Sequence, residues 1–120
     1  CKLDFIPMQF KTHYNKSCEF YIENVDFFSF GTNDLAQFLM AADRTNESVS
    51  NYLSQSKESI LILIKNFTEL AHKEGKEVSV CGELASDEKC LSYFLNININ
   101  SLSMPPSLIP KIKNEIRNTI

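Results

Sequence analysis

The sequence predicts an α/β fold with a parallel sheet, on three observations. A short apolar run that ends in a turn and gives way to a helical pattern occurs three times in succession. The turns fall about 25 to 50 residues apart, the spacing of parallel strands joined by right-handed crossovers. With 120 residues, 43% of them hydrophobic, the chain has the length and composition of one domain with a real core.

The first unit organises the rest. Val25 to Phe30 is an aromatic-rich run bounded by Gly31-Thr32, which reads as a strand covered on both faces. Gly31 permits a sharp turn, after which Asn33 or Asp34 can cap a helix beginning near Leu35 and ending near Ala42. Asp43-Arg44-Thr45-Asn46 stops that helix and opens a polar loop to Ser56. Lys57 to Glu74 gives the clearest helix. Ile60, Leu61, Leu63, Ile64, Phe67, Leu70 and Ala71 form its apolar face, while Lys65, Asn66, Glu69 and Lys73 face water. Gly75 stands where a left-handed C-terminal cap belongs.

The second unit starts with the strand Val78-Ser79-Val80-Cys81 and turns at Gly82-Glu83. Asp87 caps a helix to about Asn96, with Leu91, Phe94 and Leu95 inward. The third strand runs from Ser101 to Met104 and closes at Pro105-Pro106. Ser107 then caps a last helix, whose Ile109, Ile112, Ile116 and Ile120 recur at helical spacing. Residues 1–22 are the least legible: Leu3 to Met8 is compatible with a strand, although Pro7 argues against a central one.

Twelve basic against fifteen acidic residues give a net charge of -3 with no basic cluster. That argues against nucleic acid and anionic membrane as partners. No apolar run approaches the roughly 20 residues of a membrane span, and no signal-peptide pattern opens the chain. Cys1, Cys18, Cys81 and Cys90 lack CxxC spacing, so reduced thiols are expected and a zinc site is not.

Parallel strands place their carboxyl ends side by side, and ligands bind at that end. Asn33 and Asp34, Cys81 and Glu83, and Ser103 to Ser107 should therefore share one rim. A carboxylate beside an amide suits a hard cation such as magnesium holding an anionic substrate; the plainer role of this pair is helix capping. Cys81 at a strand end can be a nucleophile or proton donor, or a small core residue. Arg44, one to two helical turns past Asp34, can direct a guanidinium fork at a phosphate or stand as an exposed charge.

Asp26-Phe-Phe-Ser-Phe-Gly-Thr-Asn-Asp-Leu35, Gln37-Phe-Leu-Met-Ala-Ala-Asp-Arg44, Val80-Cys-Gly-Glu-Leu-Ala85 and Leu102-Ser-Met104 closely resemble the phosphoenolpyruvate-utilising enzymes. Among these they resemble the enzyme I family of bacterial phosphotransferase systems, and the Gln37 to Arg44 and Ser101 to Met104 stretches look most like its nitrogen-related branch. The resemblance spans roughly residues 23 to 120. It implies the C-terminal part of a phosphoenolpyruvate-binding (β/α)₈ TIM barrel in a cytoplasmic, homodimeric enzyme. Such enzymes pass a phosphoryl group to a histidine on a separate swivelling domain and then to a small phosphocarrier protein. By resemblance, Asp34 ligates magnesium, Asn33 contacts the substrate phosphate, Arg44 stabilises the transferring phosphoryl group, and Cys81 donates the proton that turns the enolate into pyruvate. Glu83 shapes the rim.

The match also has gaps. The glutamate that supplies the family's second magnesium ligand falls, counted without gaps, at Phe10. His13 and His72 match no phosphohistidine motif, and His72 suits a helix's last turn, where a cation is favoured. Glycines frequent before the family's last strand are Asn96, Asn98 and Asn100 here, which tolerate left-handed turns. A full barrel takes about 250 residues, so the sequence reads as a barrel fragment that is expected to be incomplete as a catalyst alone. The alternatives are a non-catalytic binding or regulatory module in a small doubly wound fold, and a decayed remnant of the enzyme.

Overall fold

The computed structural model describes residues 22–41 and 56–119. Arg44, Phe10, His13, Cys18 and the expected strand near Leu3 to Met8 lie outside the described residues. Three strands, β1 (Phe27–Gly31), β2 (Glu77–Cys81) and β3 (Ser101–Ser103), form one sheet in the order β1-β2-β3. Both pairings are parallel. Phe28 lies opposite Val78, Gly31 opposite Cys81, and Cys81 opposite Ser103. The α-helices that lie wholly within the described residues are α1 (Thr32–Met40), α2 (Lys57–Lys73), α3 (Glu88–Asn96) and α4 (Ile109–Thr119). The expected α/β alternation with a parallel sheet is what the chain forms.

The core lies on one side of the sheet. Phe28 and Phe30 from β1 and Val78 and Val80 from β2 are buried against Ile60, Ile64, Phe67 and Ala71 of α2 and Phe94 of α3. Phe67 is the pivot of that packing. Its ring meets Phe28 edge-on at 4.6 Å and Phe30 edge-on at 5.3 Å, contacts worth about 0.5–1.5 kcal/mol each beyond the area they bury. The opposite face carries Phe27, Ser29, Ser79, Ser101 and Ser103, exposed or half-buried. Phe27 retains 39% of its accessible surface. The expectation that the first strand is covered on both faces is thus corrected. Among the described residues only one layer of helices packs on the sheet, and the strand alternates with period two accordingly.

Several element ends follow expectation. After α2, Gly75 adopts φ +67°; its N–H bonds the His72 carbonyl at 3.0 Å and the Lys76 N–H bonds Ala71 at 2.9 Å, the paired closure of a Schellman turn. Asn98 repeats that arrangement after α3, with φ +56° and bonds from Asn98 N–H to Leu95 and from Ile99 N–H to Phe94, both 3.1 Å. The short polar side chain of Asn makes the left-handed conformation accessible there.

Other ends differ. α1 begins at Thr32, with Gly31 in the capping position at an ordinary φ of −81°. Neither Asn33 nor Asp34 caps it; both lie inside the first turn. Ser107 does not cap α4. It sits within a single 3₁₀ turn, Pro106–Leu108, and α4 starts at Ile109. Pro105, Pro106 and Pro110 fix φ over this stretch and delay the regular helix. Ile109 remains 38% exposed, while Ile112 is the buried anchor of α4.

Asp87 does cap α3 as expected. Its carboxylate accepts a hydrogen bond from the Lys89 N–H at 2.9 Å and pairs with Lys57 at the start of α2 at 2.5 Å. The Lys57 hydrogen bond holds the Asp87 carboxyl below its usual range, and Asp87 in turn raises the Lys57 ammonium. An unfolded chain therefore takes up the Asp87 proton more readily than the folded one. The contribution is fully present above the ordinary carboxylate range and is lost as pH falls below about 4. The raised Lys57 contributes until pH climbs past the ordinary lysine value of about 10.4. Asp87→Ala should lower stability at neutral pH by about 1 kcal/mol through the lost cap. Melting temperatures followed from about pH 3 to pH 7 should fall less steeply with acid in the variant; equal acid slopes would contradict the assignment.

Candidate functional site

The carboxyl ends of β1 and β2 are stitched together by side chains from the first turn of α1. Thr32, only 1% exposed, donates its hydroxyl to the Cys81 carbonyl at 2.9 Å. Asn33 accepts the Glu83 backbone N–H on Oδ1 at 3.0 Å. Gly82 lies between those bonds with φ +94° and ψ −168°, a region open essentially to glycine alone. A β-carbon there would come within 2.5 Å of Thr32 Oγ1 and 3.0 Å of Asn33 Oδ1. The two turns are in contact, and glycine is what lets them approach.

The candidate side chains ride on this join. Asp34 follows Asn33 in the first turn of α1, where a negative charge is favoured by the helix dipole. A β-carbon on Gly31 would sit 3.8 Å from its Oδ2, and Gly31 is the register partner of Cys81. Cys81 is a free thiol, half-buried, at the last position of β2 with Ser103 of β3 on its other side. Asn33, Asp34, Cys81, Glu83 and Ser103 thus share one rim, as the alternation of elements predicts. Glu83 is exposed, and its backbone N–H holds the Asn33 side chain.

Sequence reasoning missed the roles of Thr32 and Gly82. Both stand inside the motifs that it singled out, yet bonds across 49 and 50 residues leave no local signal. A glycine directly after a strand's last residue was the available clue. Cys90, by contrast, is a packing residue. It is 1% exposed in α3, and burial pushes its thiol up.

Asp34 offers a hard oxygen donor at a strand end, which fits magnesium. That ion is commonly held by one or two carboxylates together with substrate phosphates. Among the described residues no group of three or more His, Cys, Asp or Glu side chains converges to hold a metal.

The described residues form a parallel α/β sheet with a carboxylate, an amide and a thiol on the rim of its strand ends, the end at which ligands bind in such sheets. The family is shown by comparison. A model of the family described as PEP-utilising enzyme, PEP-binding domain, matches residues 17–120. The chain belongs to this family and forms part of its barrel domain. It is 43% identical over 98 residues to the phosphoenolpyruvate-protein phosphotransferase of Buchnera aphidicola from Schizaphis graminum, covering 82% of this chain and 17% of that protein. The protein of the same name from Haemophilus influenzae is 42% identical over 102 residues, 85% of this chain and 18% of the relative. That of Staphylococcus aureus is 43% identical over 96 residues, 80% and 17%. The chain thus spans less than a fifth of the length of these relatives.

Gly82→Ala should cost about 2–3 kcal/mol, because the new β-carbon meets both strain and the Thr32 hydroxyl. Gly31→Ala, at an ordinary φ and with room for a methyl group, should cost under about 1 kcal/mol. Urea denaturation of the two variants checks this, and equal losses would mean that the two turns are not in contact.

Proposed function

We propose that this chain supplies the phosphoenolpyruvate and magnesium site of a phosphotransferase of the enzyme I type, which moves a phosphoryl group from phosphoenolpyruvate to a protein histidine. The observation that carries the reading is the join at the rim. The turn bearing Asn33 and Asp34 is hydrogen-bonded to the turn bearing Cys81 and Glu83, which supports reading them as parts of one site. Family membership and the names of the relatives support the substrate.

In this reading Asp34 would hold the magnesium ion, which would supply positive charge to the anionic substrate. Asn33, whose side-chain oxygen accepts from Glu83, would turn its NH₂ donors to the substrate phosphate. Arg44 stabilises the phosphoryl group in transfer, a task of charge and position. As the phosphorus–oxygen bond to the enol breaks and the phosphoryl group passes to the histidine of another domain, Cys81 gives its thiol proton to the enolate carbon. Pyruvate forms, and the thiolate recovers a proton from water. A thiol protonated at working pH is what this step needs. The histidine then hands the phosphoryl group to a phosphocarrier protein.

The nitrogen-related branch is part of the proposal, on the wording of Gln37 to Arg44 and Ser101 to Met104. So are a homodimer and a cytoplasmic setting; the free thiols of Cys81 and Cys90 accord with the latter. Among the described residues no helix is long and apolar enough to cross a membrane.

The test uses a complete phosphotransferase in which residues 23–120 of this chain replace the matching segment. There Cys81→Ala should slow pyruvate formation by about a hundredfold or more, the usual range for a lost general acid. Cys90→Ala should lower stability and leave the rate nearly unchanged. The same small rate loss from both substitutions would make Cys81 a packing cysteine.

A further inference from the structure

We propose that Thr32 is a positioning residue for the Cys81 thiol. The catalytic consequence rests on the reading of Cys81 as proton donor; the positioning itself does not. A threonine in the first turn of a helix ordinarily spends its hydroxyl on its own backbone. Thr32 instead donates to the carbonyl of Cys81 at 2.9 Å, 49 residues away, from a side chain that is 1% exposed. The same oxygen is the atom that a β-carbon on Gly82 would meet at 2.5 Å. One hydroxyl therefore bonds the carbonyl of the Cys81–Gly82 peptide and lies close against Gly82.

The strand alone does not fix that peptide. Cys81 is the last residue of β2, paired with Gly31 and Ser103, and Gly82 beyond it is the most permissive residue the chain could place there. Without the Thr32 bond the carbonyl at the strand's end loses this buried side-chain donor, and the Cys81–Gly82 peptide gains freedom to rotate where the thiol-bearing residue leaves the strand. Proton transfer to carbon requires the donor within about 3–3.5 Å, and a 1 Å misplacement can cost about a hundredfold. Thr32 sits one residue from Asn33 and two from Asp34, so the same contact sets the distance between the thiol and the groups proposed to hold phosphate and metal.

The experiment measures alkylation of each cysteine in the intact 120-residue chain by iodoacetamide, followed by peptide mass spectrometry. Cys90, buried in α3, reports opening of the whole fold. Thr32→Val keeps the shape and removes the hydroxyl. It should speed Cys81 alkylation by about three- to tenfold, as the loss of one neutral hydrogen bond allows, with Cys90 unchanged. Thr32→Ser, which restores the hydroxyl, should return Cys81 to the wild-type rate. The proposal is overturned if Cys81 is unaffected, if Cys81 and Cys90 speed up together, or if Thr32→Ser behaves like Thr32→Val. In the complete phosphotransferase carrying residues 23–120, Thr32→Val should lower kcat at least about tenfold with KM for phosphoenolpyruvate nearly constant. Should Cys81→Ala leave the rate untouched there, the proton-donor reading fails while the alkylation result still decides whether Thr32 positions the thiol.

Discussion

The contact on which the site depends is the hydrogen bond from Thr32 to the Cys81 carbonyl, with the Asn33–Glu83 bond beside it and Gly82 pressed between them. Each bond taken singly contributes only about 1 kcal/mol. Their value lies in geometry, because they join turns that the chain separates by about fifty residues. A parallel sheet brings strand ends into line but leaves the loops beyond them free to diverge. Here the loops are tied at the first residues after the strands. The tie also explains why a glycine with a left-handed φ stands at residue 82, where any side chain would drive the two turns apart.

The rest of the described structure gives that tie a firm base. Phe67 of α2, edge-on to Phe28 and Phe30, pins β1 to the helix layer, while Asp87 links the start of α2 to the start of α3. All of this lies on one side of the sheet. The other side presents Ser29 opposite Ser79 and Ser79 opposite Ser101, a row of small polar side chains that helices do not cover among the described residues. In a closed barrel one face of every strand points inward, and the family match makes these strands part of such a barrel.

Much of the fold could be read from the residues. The apolar stripe of Lys57 to Lys73, the capping Asp87, the left-handed Gly75 and Asn98, and the three strand-turn-helix units all follow from local propensity and periodicity, which act over a few residues. Apart from Ser107, which local prolines displace from the start of α4, what failed has a common physical reason. Covering the first strand on both faces, and capping α1 with Asn33 or Asp34, were inferences from local pattern about groups whose partners lie far along the chain. Asn33 spends its carbonyl on Glu83 rather than on its own helix, and Phe27 is exposed because nothing described packs over it. The placement of Asn33, Asp34 and Cys81 on one rim was legible, because parallel topology enforces it. The means of holding them there was not, since a long-range side-chain to backbone bond leaves no spacing to read.

The central claim is that the two turns form one ligand site. Its most direct test is two-dimensional NMR of the ¹⁵N-labelled chain during addition of magnesium, phosphoenolpyruvate, and both. With both present, the amides of Thr32, Asn33, Asp34, Cys81, Gly82 and Glu83 should shift together along one binding curve, more than with either alone. Shifts confined to the opposite ends of the strands, around Glu77 and Asn100, or no concerted change at the rim, would contradict the account.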